Sequence, residues 1–271
     1  MSNPLLDFSG LPRFAEIKNE HITPAIETLL KENRTIIEKV QTDNHVPTWQ
    51  TFVQPMVDAN ERLSRAWGQV SHLNAVMNSP QLREIYNENL PVITQFYAEL
   101  SQDLLLFEKL KQLRASAEFN HLTPTRKKII DNELRDFRLG GAELPAEKKQ
   151  RFLQIQEELS KLSSKFNDNL LDATNAYALF IEDAKTLVGI PIDVLQMAKD
   201  LAAADSRAGW KFTLHMPSYL PVMQYADNRN FREQMYRAYA TRASEFDSQA
   251  GTEKDNMPLI SRIMKLRQEE A

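Results

Sequence analysis

Apolar residues recur in steps of three and four over most of this chain, the period of helices with one buried face. After Pro24, Ile26, Leu29, Leu30, Ile37 and Val40 share a side. From Thr48, the stripe Met56, Ala59, Leu63, Ala66, Val70, Leu73 and Met77 predicts a second helix. A third follows Pro80 and is carried by Leu82, Tyr86, Ile93, Tyr97, Leu100, Leu104 and Phe107, with Pro91 as a kink. Ile130, Leu134 and Phe137 mark a shorter one that Gly140-Gly141 stops. The longest begins near Pro145, with Phe152, Ile155, Leu159, Leu162, Phe166, Leu170 and Ala173 in line.

Three starts carry a punctuation mark: Thr23-Pro24, Ser79-Pro80 and Thr123-Pro124. The hydroxyl caps a free N–H, and proline suits a position whose own N–H would have no intrahelical partner. Long helices with narrow stripes pack as antiparallel hairpins or bundles. The chain is therefore expected to be mainly α.

Between residues 177 and 220 the pattern changes. "AYALFIED" and "WKFTLHM" are short and rich in aromatic or branched residues, and a helical stretch, "GIPIDVLQMAKDLAAA", separates them. They predict two paired strands, a small β element near residues 177–216, with Lys211 to His215 extended. Asp227 or Asn228 then caps a helix carrying Phe231, Met235, Ala238 and Arg242. A last helix starts near Pro258, with Leu259, Ile263 and Leu266 on its face, and runs to the final residue, the expected sign of a cut chain. "SQAGTEKDN", residues 248–256, is expected to be an exposed loop.

Composition narrows the chemistry. Only 7 glycines among 271 residues argue against an all-β fold, and no spacing matches a phosphate-cradling loop. The absence of cysteine excludes a thiol nucleophile, a disulfide and a Cys-type zinc site, and fits a reducing compartment. A net charge of -4 gives no general attraction to nucleic acid or to anionic membranes. No apolar run approaches the roughly 20 residues that span a bilayer, and the start lacks the form of a signal peptide. A cytoplasmic location is expected, with neither nucleic acid nor membrane as a partner.

Of the five histidines, His21, His45, His72, His121 and His215, none lies within a helical turn or two of another, and none opens an HExxH motif. His72 is expected to be packed or half-buried. One stretch has binding potential: Arg229, Arg232, Arg237 and Arg242 alternate with Tyr225, Tyr236 and Tyr239. Arginine forks suit carboxylates, and tyrosines give rigid apolar surface with a polar tip, so the stretch is expected to line a peptide- or phosphate-binding groove, with Arg232, Tyr236 and Tyr239 as the candidate peptide-binding residues. The plainer alternative pairs these arginines with Glu233, Asp227 and neighbouring acids and turns the tyrosines to the core.

Several separated segments, "MSNPLLDFSGLPRF", "HITPAIETLL", "VSHLNAVMNSPQLREIYNENLPVI", "NELRDFRLGGAELP" and "LHMPSYLPVMQYADNRNFREQMYRAYATRAS", together resemble the N-terminal portion of the thimet oligopeptidase family of zinc metallopeptidases. The resemblance implies a much longer, nearly all-helical parent, in which two lobes flank a channel that cuts short peptides. It implies a zinc site of HExxH plus a later glutamate in the other half, the two histidines holding the metal and the first glutamate activating water. No residue here matches that motif, so no catalytic and no metal residue is expected in this chain. Zinc is expected in the parent only. On this view residues 1–176 form a helical N-terminal lobe of the channel. Residues 177–271 form a strand–helix segment leading toward a catalytic lobe, and short peptides bind in the channel the two lobes share. The alternative is a self-sufficient helical scaffold or peptide-binding module without catalysis.

Overall fold

The computed structural model describes residues 3–247 and 254–271. Most of the expected loop at 248–256 therefore lies outside the described residues. Its last residue, Asn256, is buried. Eleven α-helices and one two-stranded antiparallel sheet are formed among the described residues, so the protein is mainly α. It divides into two compact units, Met1–Ser160 and Lys161–Ala271. The division runs through one long helix, whereas the change of sequence pattern at 176/177 marks where that helix ends.

In the first unit, α1 (Asn19–Thr42) buries Ile22, Ile26, Leu29 and Leu30 against α2 (Gln54–Val76) and α3 (Pro80–Ser101). α1 starts five residues before the expected Thr23-Pro24 cap. Lys18 stands at its N-terminus, and the Lys18 backbone N–H donates to His21 Nδ1 at 3.1 Å, so histidine does the capping. Pro24 sits inside the helix. The carbonyl of exposed Glu20, four residues back, therefore has no intrahelical donor from position 24. Thr48 does cap the next run, accepting from the Thr51 N–H at 3.0 Å. One π-turn, Trp49–Val53, precedes α2. Pro55 accounts for it: proline has no N–H to give the Thr51 carbonyl and crowds it, so the Gln54 N–H reaches back to Trp49 instead. Met77, expected on the apolar stripe of α2, is 70% exposed because the helix ends at Val76.

Ser79 caps α3 as expected, and α3 passes through Pro91 in one piece. It stops at Ser101, short of the expected Leu104 and Phe107. The Asp103 carboxylate accepts the Leu106 N–H at 3.0 Å and thereby starts a separate helix, α4 (Leu104–Ala115). After the short α5 (Ala117–His121), Thr123 caps α6 (Pro124–Leu139). α4 and α6 pack through Phe107, Leu110, Leu113, Ile130, Leu134 and Phe137. Gly140 and Gly141 end α6: a Cβ on Gly140 would lie 2.6 Å from Ser101 Cβ, and Gly141 has φ +90°. α7 (Ala146–Ala176) follows, with Ile155, Leu159 and Ala173 buried and the rest of its expected stripe half-buried.

The second unit contains β1 (Leu179–Ile181) and β2 (Trp210–Phe212), paired with Phe180 opposite Lys211. Gly209, at φ +85°, opens β2 where a Cβ would meet the Ile181 carbonyl at 2.4 Å. The strand is shorter than the expected Lys211–His215 run. The Thr213 N–H turns aside to the Ser218 hydroxyl at 3.0 Å, which ends the pairing. α8 (Ile192–Ala204) covers the sheet and α9 (Met216–Tyr225) packs on α8. α10 (Arg229–Ala240) is capped by Asn228, whose side chain accepts the Phe231 N–H at 3.0 Å. α11 (Met257–Glu270) buries Leu266. The unit's core joins Phe212, Leu214, Val222, Phe231 and Met235.

Candidate functional site

The candidate peptide-binding residues belong to α10, and the structure separates them. Arg232 is committed to the backbone. One guanidinium nitrogen donates to the Ala226 carbonyl and, at 3.2 Å, to the Asp227 carbonyl, just past the end of α9. The same corner is held by the Asp227 N–H, which donates to the Val188 carbonyl at 2.9 Å. Gly189, at φ +91°, permits that approach, since a Cβ there would lie 2.1 Å from the Tyr225 carbonyl. Arg232 thus holds the α9–α10 turn in place. Arg237 pairs with Glu233 at 2.9 Å, one helical turn away on the exposed face.

Tyr239 meets a ring from the neighbouring helix. Tyr239 stacks on Tyr219 with centroids 4.1 Å apart and planes 12° from parallel. The Arg242 guanidinium carbon lies 3.6 Å from the Tyr239 centroid, necessarily over the ring's other face. Arg242 is fixed there by donating to the Tyr239 carbonyl at 2.9 Å and to the Thr174 hydroxyl at 3.1 Å. The Tyr239 hydroxyl points to the Met216 sulfur at 3.8 Å. Tyr236, three residues before Tyr239 on α10, is 56% exposed, and Met216 and Leu220 of α9 are exposed as well. The Tyr219 phenol is held above its ordinary pKa, first by burial and then by the Tyr239 and Tyr236 hydroxyls, with Arg242 opposing.

The product is a rigid aromatic shelf with a sulfur edge, three phenols and one fixed cation. Both faces of Tyr239 are covered and Tyr219 is buried, so the surface left to contact an apolar or planar group is the exposed Tyr236 ring. The shelf has no nucleophile–base pair. The i, i+3 spacing of Tyr236 and Tyr239 announced half of it. Tyr219 and Met216 went unseen because two prolines obscured α9, the helix that carries them.

Three of the histidines have separate partners. His21 caps α1, and His45 Nδ1 lies 2.6 Å from an Asp43 carboxylate oxygen. His72, expected to be packed or half-buried, is exposed, though its ring lies tilted against Phe14 with centroids 5.3 Å apart. Among the described residues, no group of three or more His, Cys, Asp or Glu side chains converges to hold a metal ion. Nor is any helix among them long and apolar enough to cross a membrane.

Comparison with known proteins supplies the context. Residues 26–149 match the family model for "Neurolysin/Thimet oligopeptidase, N-terminal domain". The chain is 46% identical over 269 residues to Oligopeptidase A of Haemophilus influenzae, covering 99% of this chain and 39% of that protein. Identity to Oligopeptidase A of Escherichia coli is 41% over the same length, with the same coverage of each. A probable cytosolic oligopeptidase A of Arabidopsis thaliana is 36% identical over 278 residues, covering all of this chain and 38% of the relative. The chain thus spans less than two-fifths of the length of the curated relatives it matches.

Proposed function

The chain is an N-terminal portion of the neurolysin/thimet oligopeptidase family, and from that premise we propose that it is the non-catalytic part of a cytoplasmic, zinc-dependent metalloendopeptidase that hydrolyses short peptides. The observation that carries this reading is similarity to oligopeptidases A over 99% of the chain, at identities up to 46%. Among the described residues no His, Cys, Asp and Glu side chains converge as a zinc site would require; on this reading the metal and the cutting chemistry are supplied by a region outside this chain. What this chain contributes is wall. Its helices narrow the access to the reacting groups so that short, unfolded peptides enter and folded proteins do not. The exposed Tyr236 ring, on the helix that carries the Tyr219–Tyr239–Arg242 stack, is the part of the wall suited to contacting apolar side chains.

One surface supports the need for a further region. α11 presents Met257, Ile260 and Met264 outward, residues one turn apart on one side of the helix, with Met264 67% exposed. Such a stripe is costly in water and is covered when another element packs on it. The genomic sequence tests the proposal cheaply. We expect the reading frame to continue past Ala271 and to contain HExxH. A stop codon directly after Ala271, with peptide affinity that Tyr236→Ala abolishes, would instead establish a self-sufficient binding module.

A further inference from the structure

The first unit holds a pocket that the peptidase reading does not use. It lies among α1, the π-turn and α2, α4 and α6, and its volume is about 90 Å³. Ile36, Phe52, Val53, Met56 and Phe137 make its walls apolar. Three polar side chains also line it, and two of them are satisfied. The Asn33 amide donates to the Leu29 and Ala59 carbonyls at 2.9 and 3.0 Å. Asn60 Oδ1 accepts the Tyr97 hydroxyl at 2.9 Å. The third is Glu133, on the exposed side of α6, whose carboxylate has no hydrogen bond or ion pair among the described residues.

We propose that this pocket binds a primary alkylammonium group, its short chain among the apolar walls and its charge against Glu133. Three features select that chemistry. An engineered apolar cavity of about 150 Å³ takes up benzene, so this smaller space suits about four carbons of a linear chain. An unpaired carboxylate beside apolar surface is complementary to a cation that also brings apolar surface. A compact ammonium on a four-carbon stem meets both needs, and either a free amine or a lysine side chain supplies it. Although the residue as a whole is exposed, lost hydration beside the apolar walls, and then the neighbouring Asp136, hold the Glu133 carboxyl above its ordinary pKa. The inference rests on the pocket alone and is independent of the peptidase reading.

The test is a nuclear magnetic resonance titration of the whole chain, labelled with nitrogen-15. The probes are n-butylammonium, Nα-acetyl-lysinamide and the neutral n-pentanol. We expect saturable shifts at residues around the pocket, with millimolar dissociation constants for one or both cations. Pentanol should bind about tenfold more weakly, and Glu133→Gln should weaken the cations by about tenfold. Val57→Trp, at the exposed rim, should block entry while leaving the spectrum folded. Binding of butylammonium alone identifies free amines as the source; binding of the lysine derivative alone identifies peptide side chains. No saturable shifts with either cation, or equal affinity in wild type and Glu133→Gln, would overturn the proposal.

Discussion

Asn169 donates its side-chain amide to Asn256 Oδ1 at 2.9 Å, joining the middle of α7 to the start of α11 across 87 residues of chain. Both side chains are buried, and Asn256 also donates to the Phe166 carbonyl at 3.1 Å. The Asn256 backbone N–H donates to the Ala243 carbonyl at 2.9 Å, so one residue ties α11 to two other segments. Asn256→Ala leaves the Asn169 amide and the Phe166 carbonyl without that partner. Urea unfolding should show a loss of about 1–3 kcal/mol. In the double variant with Asn169→Ala the losses should be less than additive, because the second change removes a group already stranded.

Gly209 is the second sensitive point. Alanine there must adopt a positive φ, which costs on the order of 1–3 kcal/mol, and its Cβ would press on the Ile181 carbonyl. Gly209→Ala should therefore open the β1–β2 pair first. Amide hydrogen exchange at Phe180 and Lys211 is the direct readout, and it should accelerate while exchange in α1 and α2 stays unchanged.

Arg232 and Tyr236, joined by sequence reasoning into one candidate site, should behave differently. Arg232→Ala removes the donor to the Ala226 and Asp227 carbonyls and should lower stability by about 1–3 kcal/mol. Tyr236→Ala removes an exposed ring and should leave the thermal midpoint within about 2 °C of wild type. Peptide affinity should fall only with Tyr236→Ala. A matched pair of melting curves and peptide titrations checks both statements.

Glu133 gives a pH prediction with a definite sign. Its carboxyl pKa is raised in the folded state by partial loss of hydration against the pocket and by Asp136, so the folded protein binds the proton more readily than the unfolded chain. Ionised Glu133 therefore opposes folding above its folded pKa. That penalty fades as pH falls through the folded pKa toward the ordinary carboxylate value. Glu133→Gln should raise the melting temperature at pH 7, and the difference from wild type should shrink on acidification. A constant difference at every pH would show that Glu133 acts by some means other than its charge.

Much of the fold is legible in the sequence because its caps and stripes are local. Thr48, Ser79 and Thr123 mark true starts, Gly140-Gly141 a true stop, and the two short runs pair as strands. The failures have a common cause in side chains doing unexpected backbone work. His21 rather than Thr23 caps α1, and Asp103 breaks an apolar stripe that continues from Leu100 through Phe107. In α1 and α9 alike, proline occupies the sixth helical position, Pro24 and Pro221, where a local reading of proline ends or starts a helix but the helix in fact continues. The candidate site was half legible. Spacing groups Tyr236 with Tyr239, but nothing in sequence brings Tyr219 against Tyr239 or reveals that Arg232 is spent on a turn.

The most direct test of the central claim is hydrolysis of a quenched fluorescent peptide by the purified 271-residue chain, with zinc added and then chelated. The account predicts no zinc-dependent cleavage and no stoichiometric zinc retained on dialysis. Turnover that appears with zinc and disappears with the chelator would contradict it.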